Sequence, residues 1–474
     1  MSLLDEVLAL APCSIELPAG TGKTEVVAEL ALQASESGRR TLALTHTHAG
    51  IDVLRRRFKR KGVRSANYTI RTLDSWCFAL IQSYPLLAGM EVGNEPDWQL
   101  SAEYHLAGAR AVQSKAIERM LKVSYDLIIV DEYQDCQNWQ HELVKSISKV
   151  VPTVILGDRM QGLFFFGRDS RPVLWERDVI PAFQDYPIDV YPWRWEGANI
   201  DMGNWLLYAR QELLLGHPLD LDQAPLRLID PDEVIGYARQ LPGHPERSVL
   251  IRKWARDCAI VSAQLGAGFT MMEELEGKHL LEFAEKIDAG GPWLAAHTVR
   301  FAVSCAFGVG PIFGAPARRP LEKSIPQPLM ESKFAGYEDQ VRRINVLLDD
   351  QSRLAVHAAL NSLGQIPGFR LHRREAWLGI LNSLRIACAS PELSVRECVV
   401  ATRNQLRVSG RYPESRVVSR TLLVKGLEFD HCILGEVDDF NSHEIYVGLT
   451  RGSQSLLVAS RRKIIRPARP TSTD

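Results

Sequence analysis

Short apolar runs alternate with longer amphipathic stretches over the first third of the chain. Strands are predicted for the apolar runs at residues 13–17, 40–45, 69–72, 125–130 and 153–156. The stretches between them mix Ala and Leu with charged residues at helical spacing, as in 25–35 and in the segment that ends at Phe58. Apolar strands of this length are typical of sheets that are covered on both faces. The alternation therefore predicts an α/β fold with a parallel sheet between layers of helices.

A second series of apolar runs begins near residue 188 and predicts another sheet of the same kind. Its strands are predicted at 248–252, 397–403, 417–423, 431–435 and 454–459. Mainly helical stretches interrupt both series. The predicted domains are a first α/β domain at 1–185 with a small helical insertion at about 80–122, a second α/β domain at 186–287 and 391–474, and a helical insertion in the second domain at 288–390.

Composition and charge restrict the class of protein, but they do not identify an activity. The chain has 474 residues and a formal net charge of −1, so a binding site for a polyanion must be a local patch. Its eight cysteines are scattered without a C-x-x-C pair, and no signal peptide or long apolar span is recognisable. These features predict a reduced, cytoplasmic protein with no membrane partner.

The segment 129–135 reads Ile-Val-Asp-Glu-Tyr-Gln-Asp and ends one of the predicted buried strands. Two adjacent carboxylates at such a position are costly unless they bind a metal ion or take part in chemistry. Asp131 is the candidate ligand of a hydrated Mg²⁺, and Glu132 is the candidate base that polarises a water molecule. The alternative is an acidic turn between a strand and a loop, without chemistry.

The segment 17–24 reads Leu-Pro-Ala-Gly-Thr-Gly-Lys-Thr and lies between a predicted strand and a predicted helix. This is the context of a phosphate-binding loop, in which glycines let backbone N–H groups surround a phosphate. Lys23 can reach the outer phosphates, and Thr24 can bind Mg²⁺. The candidate nucleotide-binding residues of the loop are Gly20, Thr21, Gly22, Lys23 and Thr24. Together with Asp131 and Glu132, the loop predicts hydrolysis of a nucleoside triphosphate.

In order along the chain, the motifs resemble those of the UvrD/Rep family of superfamily 1 helicases. The segments that carry the resemblance are 17–24, 131–135, 157–161, 191–194, 421–430 and 446–451. The resemblance implies two RecA-like P-loop NTPase domains, each with a mainly helical insertion, and the cofactors ATP and Mg²⁺. It implies that Gln161 senses the γ-phosphate, that Arg194 and Arg451 act as arginine fingers, and that Glu428 contacts the nucleotide.

The same resemblance implies a site for single-stranded DNA. Its predicted contacts are Thr45, His46, Thr72, Phe164, Phe166 and Thr421. Aromatic side chains are typical platforms for bases in such sites. Three consecutive phenylalanines are, however, also typical of a protein core. The basic run 55–61 has two explanations as well, since it can bind phosphates or form a solvated helix face.

Two functions remain open from the sequence. The first is an ATP-dependent DNA helicase or translocase that moves 3′ to 5′ on single-stranded or tailed DNA, in DNA repair or antiphage defence. The second is a regulatory subunit that senses ATP and DNA ends and controls a partner nuclease, as in the Gabija antiphage system. The motifs favour the first function, and the short insertions are the reason to consider the second. No Gln precedes Lys23 to read adenine, which leaves the base selectivity open.

Overall fold

The computed structural model describes residues 2–163, 171–272, 278–409 and 415–468. The five apolar runs of the first third all form strands, and a sixth short strand joins them in one parallel sheet of order β3-β2-β4-β5-β1-β6. Its strands are β1 (Cys13–Glu16), β2 (Thr41–Thr45), β3 (Tyr68–Thr72), β4 (Leu127–Val130), β5 (Thr153–Gly157) and β6 (Gln184–Asp185). The prediction of a parallel α/β sheet is confirmed.

Helices cover both faces of this first sheet. The helices of the first half are α1 (Leu3–Leu10), α2 (Lys23–Glu36), α3 (His48–Lys61), α4 (Leu73–Ser83), α5 (Pro85–Ala88), α6 (Ser101–Val112), α7 (Lys115–Ser124), α8 (Asn138–Ser148) and α9 (Ile200–Leu214), and all but α9 contribute to the layers on this sheet. Strand β4 shows why two layers form, because alternate side chains point to opposite faces. Leu127 and Ile129 belong to the core with α2 and α3, whereas Ile128 and Val130 belong to the core with α4, α6 and α8.

The helical segment predicted as a small insertion contributes to the core of the first sheet. Helix α6 packs against α4 and α8. Tyr104 and Ala107 of α6 lie in the same buried cluster as Leu143 of α8. Gly108 permits the close approach, since a Cβ atom there would lie 2.7 Å from the Cys77 sulfur of α4. The segment therefore shares a core with the sheet that it interrupts.

The second half of the chain contains another six-stranded sheet of order β10-β13-β9-β14-β15-β8. Its central strands β13, β9 and β14 pair in parallel. The strands of this half are β7 (Leu219–Asp220), β8 (Arg227–Ile229), β9 (Ser248–Arg252), β10 (Thr270–Met271), β11 (Ala306–Phe307), β12 (Arg370–Leu371), β13 (Arg416–Arg420), β14 (Phe429–Leu434), β15 (Gly452–Ala459) and β16 (Ile464–Ile465). The predicted α/β class with two parallel sheets is confirmed.

A large helical body interrupts this second sheet. The helices of the second half are α10 (Val234–Gln240), α11 (Ala255–Leu265), α12 (Lys278–Ala289), α13 (Leu294–Cys305), α14 (Gly310–Phe313), α15 (Ala315–Arg318), α16 (Glu338–Val346), α17 (Arg353–Leu363), α18 (Arg374–Ala389), α19 (Val395–Ser409), α20 (Thr421–Val424) and α21 (Ser442–Leu449). Helices α12 to α14 and α16 to α19 share one buried cluster of their own.

The predicted strand at 397–403 is wrong, because these residues belong to helix α19. Val395, Cys398 and Val399 are all buried in the helical body. Their spacing of three and four residues is that of one helix face. The predicted strand at 417–423 is also too long, since β13 ends at Arg420 and α20 follows directly.

Contacts divide the chain into two compact units. The first contains Met1–Leu228, Val437–Ser455 and Arg462–Asp474, and the second contains Ile229–Glu436 and Leu456–Arg461. Arg194 and Arg451 thus belong by contact to the unit that contains the phosphate loop. The predicted domain boundaries, which follow the sheets instead, stay a prediction. Within the described residues, every helix is too short or too polar to span a lipid bilayer.

Candidate nucleotide-binding site

The loop between β1 and α2 has the backbone expected of a phosphate loop. Gly20 and Gly22 have positive φ values of 75° and 92°, a region that glycine adopts without steric cost. Gly22 caps α2 without a side-chain hydrogen bond to the first turn. The Glu25 N–H already donates to the Gly22 carbonyl over 2.8 Å, so the N–H groups of Lys23 and Thr24 are the candidates for contact with an anion. Thr21 closes the loop, because its hydroxyl donates to the Pro18 carbonyl over 2.7 Å.

A buried tryptophan packs directly on this loop. A Cβ atom at Gly20 would lie 2.5 Å from the Trp195 ring, so the position requires glycine for space as well as for its φ value. The Trp195 indole N–H donates to the Gly452 carbonyl over 2.9 Å. The neighbouring Arg194 N–H donates to the Gly20 carbonyl over 3.0 Å. These contacts fix the shape of the loop from outside.

Lys23 and Glu132 meet at the mouth of the loop. The Lys23 Nζ atom lies 2.6 Å from Glu132 Oε2, and the Gln134 amide donates to the same oxygen over 2.5 Å. Burial disfavours the Lys23 ammonium, but the charges of Glu132 and Asp131 outweigh it and raise the Lys23 pKa. Glu132 has a φ of 57°, which costs a non-glycine residue free energy. Its two hydrogen-bond donors hold the carboxylate in this position.

Asp131 is a buried carboxylate with few hydrogen bonds. It follows β4 directly and is 6% exposed. Burial, and then the charge of Glu132, raise the pKa of Asp131 to about 7, although Lys23 opposes this shift. Thr24 is half-buried in the first turn of α2, next to Lys23. A carboxylate and a hydroxyl are oxygen ligands of the kind that Mg²⁺ prefers, so Asp131 and Thr24 fit the predicted metal site.

Asp158, directly after β5, joins the phosphate loop to two other side chains. The carboxylate is fully buried. Its Oδ2 atom accepts hydrogen bonds from the Ala19 N–H at 3.1 Å, the Gln161 amide at 3.0 Å and the Tyr446 hydroxyl at 2.9 Å. The Tyr446 oxygen also accepts from the Ala19 N–H over 2.8 Å. Gln161, which the family resemblance predicts to sense the γ-phosphate, is therefore connected through Asp158 to the phosphate loop at Ala19.

The other oxygen of Asp158 is bound by an arginine. Oδ1 accepts from Arg210 Nε at 3.0 Å and from the Met160 N–H at 3.2 Å. Arg210 also pairs with Glu16 at the end of β1. Burial disfavours the guanidinium, but the carboxylates of Asp158 and Glu16 raise the Arg210 pKa. Arg210 therefore compensates the buried charge.

Gln134 connects the two carboxylate clusters. Its amide nitrogen donates to Glu132, and its amide oxygen accepts from the Asp158 N–H over 3.0 Å. A Cβ atom at Gly157 would lie 2.7 Å from that amide oxygen, so the strand end approaches Gln134 closely. The ends of β4 and β5 are thus linked by one side chain.

The two predicted arginine fingers converge on Thr450. Arg194 Nη1 donates to the Thr450 carbonyl over 2.8 Å. Arg451 is 1% exposed, and its Nη2 atom donates to the Thr450 hydroxyl over 2.8 Å. Arg451 Nε also donates to the Val447 carbonyl over 2.8 Å. The structure brings both arginines to one short segment of the first unit, and their catalytic role stays a prediction.

The predicted DNA contacts of the first unit lie near the ends of β2 and β3. Thr45 ends β2 and is 2% exposed. His46 Nε2 lies 3.5 Å from the Cys136 sulfur. The Thr72 hydroxyl caps α4 by accepting from the Ser75 N–H over 3.0 Å, so it has a structural task. Two further predicted contacts, Phe164 and Phe166, lie outside the described residues.

Two predicted site residues belong to the second unit. Thr421 opens α20 directly after β13 and is 3% exposed. Within the described ranges, its hydroxyl has no hydrogen-bond partner. Glu428 is exposed and directly precedes β14. Their assignment to DNA and to nucleotide stays a prediction.

Asp158 and Tyr446 lie in segments that carry the family resemblance, but the sequence predicted no role for either residue. The signal for Asp158 was a carboxylate at the end of a predicted strand, as for Asp131. The signal for Trp195 was the aromatic segment 191–195. Arg210 lies within helix α9 and had no sequence signal, since its role depends on tertiary contacts with Asp158.

Comparisons with known proteins give one family match and similarities to solved structures. Residues 4–167 match the family model described as an AAA domain. The chain is also similar to the Pif1 helicase from Bacteroides, solved with ADP-AlF3 and ssDNA, at 12% identity over 56% of each chain and a TM-score of 0.32. The Pif1 helicase from Candida albicans matches at 12% identity over 57% of this chain and 54% of that chain, with a TM-score of 0.30.

The chain therefore spans just over half the length of these solved structures. A search of curated proteins finds no match. The AAA-domain match contains both the phosphate loop and Glu132. The match supports nucleotide binding by a P-loop domain, and the assignment of the candidate site at the carboxyl edge of the first sheet, where Lys23 contacts Glu132, stays a prediction.

Proposed function

We propose that the protein is an ATP-dependent DNA helicase or translocase of the UvrD/Rep type, which moves 3′ to 5′ on single-stranded DNA. The observation that carries the proposal is the contact between Lys23 and Glu132 at the mouth of the phosphate loop. The AAA-domain match over 4–167 supports the ATPase. The six motif segments, in their order along the chain, support the helicase family. The Pif1 structure that contains ssDNA is compatible with a DNA substrate.

The first-sheet residues divide the work of hydrolysis. Lys23 binds the outer phosphates and offsets the charge that builds on them. Glu132 orients the attacking water and accepts its proton, and Gln134 holds the carboxylate in place. Asp131 and Thr24 would hold Mg²⁺, which would neutralise phosphate charge. A bound triphosphate competes with Glu132 for Lys23, so binding also releases the base.

Arg194 and Arg451 supply the remaining positive charge. A guanidinium beside the transferring phosphoryl group contributes roughly 10³- to 10⁵-fold in rate. Both arginines are held by Thr450, so a shift of this segment moves both together. Gln161 reports the phosphate state through Asp158, which contacts the loop at Ala19. These contacts are the proposed link between hydrolysis and motion.

An ATPase assay with and without nucleic acid tests the proposal. We expect single-stranded DNA to accelerate ATP hydrolysis by the full chain, and Lys23→Ala and Glu132→Gln each to abolish it. Glu118→Gln is the matched control, because Glu118 pairs with Lys122 on the exposed side of α7. An equal rate with DNA, with RNA and without polymer contradicts the proposal. Full activity of both active-site variants contradicts the site.

The direction of movement needs its own assay. Duplexes with a single-stranded tail on one side are mixed with the protein and ATP, and strand separation is followed. We expect separation of the 3′-tailed duplex and not of the 5′-tailed duplex. The reverse preference contradicts the UvrD/Rep assignment but leaves the ATPase in place.

A second candidate function is the regulatory subunit of a nuclease defence complex of the Gabija kind. The packing of α6 in the core of the first sheet favours it, since the inserted segment forms no core of its own. In the UvrD/Rep family the insertions engage duplex DNA. If the protein is such a regulatory subunit, we expect the isolated chain to hydrolyse ATP at DNA ends without separating a forked duplex, and to bind a nuclease subunit. Unwinding of the fork by the isolated chain rules this candidate out.

A further inference from the structure

Helix α3 carries a dense cluster of positive charge, although the net charge of the whole chain is close to zero. Residues 55–61 contain six lysines and arginines, whereas the formal net charge of the whole chain is −1. The nucleotide site uses none of these six side chains. Arg55 pairs with Asp52 on the same helix over 2.9 Å. The surroundings of the other five cations divide them into an inner and an outer group.

The inner group ties α3 to its neighbour α2. Arg57 forms an ion pair with Glu25. Lys61 lies 2.8 Å from Glu29 Oε2. These two cations therefore have local partners and a structural task.

The outer group is Arg56, Lys59 and Arg60, which we call the basic face of α3. All three side chains are exposed, and the described part of the chain provides no ion-pair partner for any of them. At 100° per residue they fall on one side of the helix, opposite the buried Leu54 and Phe58. Three unpaired cations thus share one solvent-facing stripe.

The basic face lies away from the nucleotide site. Helix α3 begins after the carboxyl end of β2 and returns the chain to the amino end of the parallel strand β3. Its 14 residues span about 21 Å at ~1.5 Å per residue. The phosphate loop and Asp131 follow the carboxyl ends of β1 and β4. An anion on the last turns of α3 is therefore not the nucleotide.

Helix electrostatics explain only part of this charge. Lys59, Arg60 and Lys61 lie in the last turn of α3, where cations interact favourably with the helix dipole. Arg56 lies one turn earlier, beyond the reach of that effect. Interaction with the helix dipole therefore does not explain why Arg56 is aligned with Lys59 and Arg60.

We propose that the basic face of α3 binds the phosphate backbone of duplex DNA, as a site separate from the strand and nucleotide sites. This inference rests on the proposed action on DNA. Sites for single strands combine cations with aromatic platforms for the bases. On α3 the aromatic residue, Phe58, is fully buried, so the face offers charge alone. Duplex DNA presents phosphates outside and keeps its bases stacked inside.

A salt series with the full chain tests the inference. The variant Arg56→Gln/Lys59→Gln/Arg60→Gln is compared with the unchanged protein for binding to a blunt, untailed duplex of about 25 base pairs between about 50 and 200 mM salt. Each lost phosphate contact reduces the slope of log affinity against log salt by about 0.9. We expect the slope to fall by about 2.7 and the affinity at the lowest salt concentration to fall at least about tenfold.

The inner group provides the control. Arg57→Gln/Lys61→Gln removes two charges from the same helix, but these charges are paired with α2. We expect a change of slope below about 0.5 for this variant. Gln retains helix propensity close to that of Arg and Lys, and far-UV circular dichroism checks the fold of both variants.

The outcomes separate this inference from the proposed function. An unchanged slope for the triple variant, or an equal loss for both variants, overturns the inference. Loss of heparin binding with full retention of duplex binding overturns it too, and indicates another polyanion. The triple variant keeps its stimulation by single-stranded DNA if the inference is right. Absence of that stimulation in the unchanged protein contradicts the proposed motor and leaves the duplex result to stand by itself.

Discussion

Two buried carboxylates follow neighbouring strands of the first sheet, and they differ in the hydrogen bonds that they receive. Asp158, after β5, accepts from the backbone, Gln161, Tyr446 and Arg210. Asp131, after β4, accepts one hydrogen bond from within the described residues, from the Glu132 N–H at 2.9 Å. The same residue type at the same edge of one sheet therefore has two different environments.

We interpret this difference as one between a structural carboxylate and a carboxylate that is suited to bind a ligand. Donors on both oxygens of Asp158 replace the water that burial removes. Among the described residues, Asp131 has one such donor, the Glu132 N–H, and burial is the main cause of its raised pKa of about 7. A carboxylate that the protein leaves under-bonded retains its lone pairs for a cation. Three substitutions and one titration test this interpretation.

The largest effect is expected from Asp158→Asn. The amide removes the charge that compensates Arg210, and breaking a buried ion pair costs about 3–5 kcal/mol. Since Glu16 still pairs with Arg210, we expect a loss of about 3 kcal/mol in the free energy of unfolding, measured by urea denaturation. Asp222→Asn is the control, because Asp222 pairs with Lys463 at the surface. Equal stability of the Asp158→Asn variant and the unchanged protein contradicts the structural role.

Asp131→Asn should have the opposite profile. We expect ATP hydrolysis to fall at least about 100-fold, because the metal loses its carboxylate ligand. The free energy of unfolding should stay equal or rise, since a neutral amide is cheaper to bury than a carboxylate. Steady-state kinetics and urea denaturation of one preparation give both numbers. A stability loss as large as that of the Asp158→Asn variant removes the distinction between the two carboxylates.

The pH dependence of the free energy of unfolding tests the raised pKa of Asp131. The Asp131 pKa is about 7 in the folded chain against an ordinary value of 3.8. The folded state therefore binds more protons between about pH 4 and pH 7, and the Asp131 contribution to stability falls as pH rises through this window. We expect unfolding free energies, measured at intervals from about pH 5 to pH 8, to decline less steeply for the Asp131→Asn variant. Parallel profiles argue against a raised pKa.

The smallest effect is expected from Tyr446→Phe. The substitution removes one hydroxyl that donates to Asp158 and accepts from the Ala19 N–H. Asp158 retains its other donors, so we expect a stability loss of about 1–2 kcal/mol. The KM for ATP should rise because the phosphate loop loses a support. Tyr208→Phe is suited as a control, since Tyr208 is 55% exposed. A KM that stays constant while stability falls limits Tyr446 to a structural role.

Much of the fold could be predicted from apolar patterning. The runs at 13–17 and 153–156 correspond to β1 and β5 within one residue at their ends. The failure at 397–403 has a physical reason, because the segment is short and apolar positions alone do not distinguish a strand from one face of a helix. Only its packing in the helical body distinguishes α19 from a strand.

Residues of the candidate site could be recognised from the sequence where a local motif contains them, and their roles stay predictions. The contact between Lys23 and Glu132 follows from a loop and a strand end that belong to the same parallel sheet. The roles of Trp195 and Arg210 could not be predicted, since both depend on residues far away in sequence. Trp195 reaches Gly20 and Gly452, and Arg210 reaches Glu16 and Asp158.

Because α6 and the first sheet share one core, the positions at which this chain can gain or lose residues are restricted. Helix α6 cannot be excised as a module, because its removal exposes apolar side chains of α4 and α8 to water. In the loop 91–97, Val92 packs against this core, but most of the other residues are exposed to solvent. Insertions, affinity tags and fluorescent labels are therefore best placed there. Relatives of this chain should differ in size at that loop before they differ in the helices around it.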